Sequence, residues 1–200
     1  MRLGIYGGTF DPPHMGHLIL AETARDSLQL DRVLFVPAGN PPHKAASTIR
    51  ASANHRIAMV ELAIAKNDHF ALSRVDVDRP GPHYSVDMLA RLHDEYPGAE
   101  FVFLIGADSL RDLPQWSRPA ELLALARLGV MRRPGVEPPD LAELERDVPG
   151  LAARVEWVDA PLIDIAARDL ARRLAQGHSV RYQLPDAVLA YIKQHGLYTG

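Results

Sequence analysis

The densest run of chemically useful residues is Gly7-Gly8-Thr9-Phe10-Asp11-Pro12-Pro13-His14-Met15-Gly16-His17. Paired glycines let a backbone pass close to a ligand. The helix expected to follow would open with unpaired N–H groups and the positive end of its dipole, a setting for phosphate. Neither the dinucleotide-binding G-x-G-x-x-G nor the Walker G-x-x-x-x-G-K-[ST] pattern occurs. His14 and His17 are three apart, so both rings can face one space. Three readings stay open for them. They are two unrelated surface or capping histidines; or a metal pair, although no H-E-x-x-H and no evident third ligand accompany it; or two donors aimed at charge developing on a phosphoryl group.

Other loops add candidates. Pro37-Ala38-Gly39-Asn40-Pro41-Pro42-His43-Lys44 carries a cation whose direction the prolines restrict, or simply a solvated lysine. In Arg79-Pro80-Gly81-Pro82-His83-Tyr84-Ser85-Val86-Asp87, Ser85 reads as a helix N-cap, whose neighbouring amides could alternatively meet a ligand carboxylate. Asp108, in Gly106-Ala107-Asp108, could bond a ribose or join a metal-nucleotide network, and Trp116 could stack on a planar ring; a turn aspartate and a core tryptophan are the plainer readings.

These loops need elements to hold them. Phe101-Val102-Phe103-Leu104-Ile105 is a short, continuous apolar run between glycines, as expected of a central parallel strand. Val33-Leu34-Phe35-Val36 and Leu3-Gly4-Ile5-Tyr6 share its character, and Phe70-Ala71-Leu72 and Leu128-Gly129-Val130-Met131 are weaker versions, giving about five strands. Leu18, Ala21, Ala24 and Leu28 mark one helical stripe, and Ile57, Val60 and Ile64 another. The alternation predicts an α/β, Rossmann-like, doubly wound parallel sheet with its ligand crevice at the carboxyl ends of the strands. Residues 134–149 read as a proline-rich surface excursion. Val155-Glu156-Trp157-Val158 is a further strand candidate, and helices are expected near Asp169 to Ala175 and from Asp186 to Gln194. We read residues 1–200 as a single domain, with 155–200 its small helical C-terminal region.

Composition narrows the function. The chain has 200 residues, 47% hydrophobic and 24% charged, in the range of folded soluble domains. A net charge of −3 offers no overall positive field to nucleic acid or an anionic membrane, so anion binding must be local. The absence of cysteine excludes thiolate nucleophiles, disulfides and cysteine metal sites. No signal-peptide core or 18-residue apolar run is present, and a cytoplasmic location is expected.

Taken together, these segments resemble the bacterial nicotinate-mononucleotide adenylyltransferase family, within the nucleotidyltransferases that share an H-x-G-H signature. The likeness also draws on Arg133-Pro134-Gly135 and on the end of the chain, with Tyr191-Ile192 and His195-Gly196-Leu197-Tyr198. It implies transfer of AMP from ATP to nicotinate mononucleotide, giving nicotinate adenine dinucleotide and pyrophosphate, with Mg²⁺ carried by ATP. It implies that His14, His17 and Lys44 are catalytic. Gly7, Gly8, Thr9, Phe10, Ile105, Gly106 and Asp108 would bind ATP; Tyr84, Ser85, backbone amides near Asp112, Trp116 and Arg133 would serve the acceptor. Neither nucleic acid nor membrane is an implied partner, and a homo-oligomer is allowed.

Two departures from the family pattern stand out. His83 and Ser85 replace a serine and a threonine. The late Ser-Ser-Thr-x-x-Arg pattern appears as Ala166-Ala167-Arg168-Asp169-Leu170-Ala171. Arg172, and less directly Arg168, could supply the missing guanidinium, while Arg173 points elsewhere around the helix. The alternative readings are another small-molecule adenylyltransferase, with pantetheine phosphate as acceptor, or a nucleotide-binding sensor without turnover.

Overall fold

The computed structural model describes residues 1–39, 49–132 and 135–199. Six parallel strands form one sheet: β1 (Arg2–Gly8), β2 (Arg32–Pro37), β3 (Phe70–Leu72), β4 (Glu100–Gly106), β5 (Arg127–Met131) and β6 (Val155–Val158). Their order, β3-β2-β1-β4-β5-β6, reverses direction between β1 and β4, which opens a crevice at the carboxyl ends of those two strands. The sixth strand is the candidate at 155–158, pairing with β5 from Leu128↔Val155 to Met131↔Val158.

Alternating strand residues feed two separate cores. Leu3, Ile5, Leu34, Val36, Phe101, Phe103 and Ile105 meet the apolar faces of α3 (Ser85–Glu95), α4 (Ala107–Arg111), α5 (Pro119–Leu125) and α6 (Leu141–Asp147). Tyr6, Val33, Phe35, Val102 and Leu104 meet α1 (Met15–Ser27) and α2 (Ala53–Ile64). Both faces of the sheet are therefore covered, which is why its central strands read as unbroken apolar runs. A third cluster packs α2 through Met59 against α7 (Ala167–Ala175) and α8 (Asp186–Gln194), so the C-terminal helices dock on the main body. Helix α6 lies inside the proline-rich excursion; Asp140 caps it, its side chain accepting from the Ala142 N–H at 2.8 Å.

The end of the sheet opposite the crevice is tied by charge. Arg2 on β1 donates to Glu156 on β6 at 2.8 and 2.9 Å and to Glu100 on β4 at 3.2 Å. Arg127 on β5 also donates to Glu156.

Candidate active site

The glycine loop leaves β1 and enters α1, as the sequence suggested. A Cβ on Gly8 would lie 2.9 Å from the Phe10 ring, so the loop closes only over glycine. Phe10 has φ +50° and is 2% exposed, with its ring edge-on to Tyr6 and His17. Its ring is therefore core, the floor on which His17 rests, and any contact of Phe10 with ATP would have to come from its backbone. Thr9 turns its carbonyl inward, where it accepts from the Arg56 guanidinium at 2.8 Å.

His14 is the N-cap of α1, and its N–H donates to Nδ1 of His17 at 3.0 Å. The two rings stack with centroids 3.6 Å apart. A Cβ on Gly16 would press on the His14 ring at 3.1 Å, which accounts for the glycine inside H-x-G-H. Capping therefore does not remove the pair from the crevice, because both residues also line a cavity there. With His17 Nδ1 accepting, a neutral ring carries its proton on Nε2, as a donor.

Two adjoining cavities occupy the crevice. The larger, of 560 Å³, is lined by His14, His17, Asp108, Arg132, Asp164 and Arg168, among others. The smaller, of 220 Å³, is lined by Gly7, Gly8, His83, Tyr84, Ser85 and Trp116, among others. Tyr6 and Leu20 line both, so the cavities share a wall. Trp116 packs edge-on to Phe103, with centroids 6.2 Å apart, and still borders the smaller cavity; it serves as core and wall together.

Several candidates sit elsewhere than expected. Of the residues expected to bind ATP, Asp108 borders the larger cavity, whereas Gly7, Gly8, Ile105 and Gly106 border the smaller. Tyr84, not Ser85, is the N-cap of α3; Ser85 is the first helical residue, one position too late to cap with its hydroxyl. Asp112 is exposed, and its N–H is taken by the Asp108 carbonyl at 3.2 Å, so it is not brought to the smaller cavity. Arg168 borders the larger cavity, whereas Arg172 is exposed and paired with Asp169 at 3.0 Å. Lys44 and Arg133 lie outside the described residues.

The sequence reading missed a buried charged scaffold beneath these loops. Arg56, 1% exposed, donates to the carbonyls of Thr9 and Ala38 at 2.8 Å and of Gly39 at 3.2 Å, fastening the first two loops together. Burial lowers its pKa, opposed by Asp11, Tyr198 and Asp76. Asp11 accepts from the N–H groups of Arg50 and Ala51 and from the Tyr198 hydroxyl at 2.6 Å. Burial and that bond to a carboxylate push the Tyr198 hydroxyl far above its ordinary pKa. The signal available in the sequence was Arg56 itself, a cation next to Ile57 on an apolar helix. Arg132, also missed, borders the larger cavity, with its guanidinium 6.0 Å from the Trp157 ring centroid.

Known proteins resemble this chain along nearly its whole length. The cytidylyltransferase-like family model matches residues 5–179. A Thermomicrobium roseum protein named "Probable nicotinate-nucleotide adenylyltransferase" is 56% identical over 197 residues, which cover 98% of this chain and 91% of the relative. A protein of the same name from Roseiflexus sp. (strain RS-1) is 49% identical over 199 residues, covering 98% and 97%. Among solved structures, the Plasmodium falciparum nicotinic acid mononucleotide adenylyltransferase complexed with NaAD superimposes with a TM-score of 0.79 at 18% identity, covering 98% of this chain and 97% of that one. The same enzyme complexed with APC gives 0.77 at 17%, covering 98% and 96%. At those identities the structural likeness is one of fold.

Proposed function

This chain belongs to the cytidylyltransferase-like family, among the nicotinate-nucleotide adenylyltransferases, and on that premise we propose how its two cavities divide the reaction. The chain transfers AMP from ATP to nicotinate mononucleotide, forming nicotinate adenine dinucleotide and pyrophosphate. The observation that carries the assignment of the site is the common wall. Tyr6 and Leu20 separate a space ringed by His14, His17, Arg132 and Arg168 from one bordered by Trp116, Tyr84 and Ser85. A triphosphate suits the first and a pyridine nucleotide the second.

In this reading the 5′-phosphate oxygen of the acceptor attacks the α-phosphorus of ATP. A P–O bond forms there, the bond to the β-phosphate bridging oxygen breaks, and pyrophosphate leaves with that electron pair. No protein nucleophile is needed, so the chain's part is placement and stabilisation of the charge that develops. The His17 Nε2–H and the His14 ring act at that charge, with Gly7 and Gly8 allowing close approach; Lys44 is assigned to the same phosphates. Trp116 stacks on the pyridine, and Tyr84 and Ser85 border its carboxylate, with Arg133 assigned to a phosphate.

Mg²⁺ fits this arrangement as a companion of ATP. Among the described residues no cluster of three histidine or carboxylate ligands is built, while Asp108 and Asp164 border the larger cavity. Those two carboxylates are the protein groups that would face an ion held mainly by phosphate oxygens, and such an ion supplies neutralisation of phosphate charge. No described helix is long and apolar enough to cross a membrane. Pyrophosphate release, measured with nicotinate mononucleotide, nicotinamide mononucleotide and pantetheine phosphate in parallel, tests the reading. The first acceptor should be used best; release with pantetheine phosphate alone would overturn it.

A further inference from the structure

We propose that Arg79, held by Asp76, is a positioning residue that gives the acceptor cavity its preference for a carboxylate over a carboxamide. The inference rests on the acceptor assigned above. Asp76 is 4% exposed and Arg79 8%, and neither has a role in the chemistry so far described. Arg79 donates to Oδ1 of Asp76 through Nε at 2.9 Å and Nη2 at 2.6 Å. Its remaining donors reach the carbonyls of Pro82 at 2.7 Å and Tyr84 at 3.1 Å, one on each side of His83.

Those two bonds orient two peptide groups. Both linkages, 82–83 and 84–85, are trans, so the C=O and N–H of each point in opposite directions. With the carbonyls drawn back to Arg79, the N–H groups of His83 and Ser85 face away from it. His83 and Ser85 border the smaller cavity and Arg79 does not. Among the described residues, neither N–H meets a hydrogen-bond acceptor. This stretch of wall thus offers its amide donors and turns its two carbonyls away, while the Asp76 carboxylate, which also borders the cavity, is engaged by Arg79 and the Gly39 N–H. A carboxylate can accept from both N–H groups, whereas a carboxamide sets its own NH₂ against one of them.

Asp76 completes the unit on its other side. Its Oδ2 accepts from the Gly39 N–H at 3.0 Å and lies 3.4 Å from Nδ1 of His83. A Cβ on Gly39 would come within 2.4 Å of the His83 ring, so the ring seats directly against that backbone. His83, which departs from the family's serine, thereby locks the acceptor loop to the loop after β2.

The test is Arg79→Lys in the full-length protein, with both mononucleotides as acceptors. Lysine keeps the charge beside Asp76 but cannot span the carboxylate and two carbonyls with one planar fork. The kcat/KM for nicotinate mononucleotide should fall about tenfold, as for loss of one charge-assisted contact, while the nicotinamide form and the KM for ATP change less than about twofold. A purely structural role would lower both acceptors together, and that result overturns the proposal. Should Arg79→Lys not fold, Asp76→Asn keeps the shape and loosens Arg79; an unchanged acid-to-amide ratio there overturns it equally. Wild-type protein that shows no acid preference refutes this inference and leaves adenylyl transfer standing. Wild-type protein that uses neither acceptor refutes the assigned function instead.

Discussion

His14 and His17 combine a structural hydrogen bond with a place on the wall of the larger cavity. The bond from the His14 N–H to His17 Nδ1 sets ring orientation, and both residues line that cavity. Because such donors act mainly on charge formed in the transition state, His14→Ala and His17→Ala should each lower kcat by ~10²-fold with a much smaller change in ATP binding. Steady-state kinetics beside calorimetric ATP titration separates the two effects. Arg168 and Arg172 make a second pair for comparison. Helical spacing alone put both on one face, but only Arg168 borders the larger cavity, while Arg172 is spent on Asp169. Arg168→Ala should therefore raise the KM for ATP about tenfold, the equivalent of one charge-assisted contact, and Arg172→Ala should leave it nearly unchanged. Equal KM values in both variants would remove Arg168 from the site. The spacing could not decide between them because it is blind to what faces a helix. The same blindness hid the place of the Phe10 ring, which is core and carries His17.

The central strands were legible because a strand buried on both faces must be apolar throughout. Phe101 to Ile105 and Val33 to Val36 carried that signature without ambiguity. Polar scaffolding was not legible. Asp76 and Arg79 look like any charges three apart in a loop, and only the fold shows that both are buried and aimed at a cavity wall. The β6 edge shows a further contribution at this scale. Burial raises the Glu156 pKa, but hydrogen bonds from Arg127 and Arg2 prevail and hold its carboxyl below the ordinary carboxylate value. A depressed folded-state pKa contributes stability that is complete above the unfolded value and is lost as pH falls through the folded one. Glu156→Gln should accordingly lower Tm at neutral pH by roughly 2–4 °C, about 1 kcal/mol for a partly exposed pair in a chain of this size. The deficit should shrink as both proteins are melted at progressively lower pH through the acid range. A constant deficit would show that the glutamate contributes packing rather than charge.

At the scale of the whole molecule, charge ties fasten one end of the sheet while the opposite end is left concave. Arg2, Arg127, Glu100 and Glu156 join four strands at the closed end; Arg56 and Asp11 gather the loops and the chain's last tyrosine under the open one. The wall formed by Tyr6 and Leu20 has a kinetic implication of its own. In the proposed division each substrate occupies one compartment and can depart alone, but the dinucleotide product is a tethered two-headed ligand that must vacate both. Once one half lets go, the other keeps it at high effective concentration for recapture. Product should hence bind at least tenfold more tightly than nicotinate mononucleotide, and a rapid-quench time course should show a burst of about one dinucleotide per active site before the slower steady rate. Turnover would then be governed by how quickly this avidity is broken, and mutations that loosen either compartment could speed the enzyme while weakening its grip.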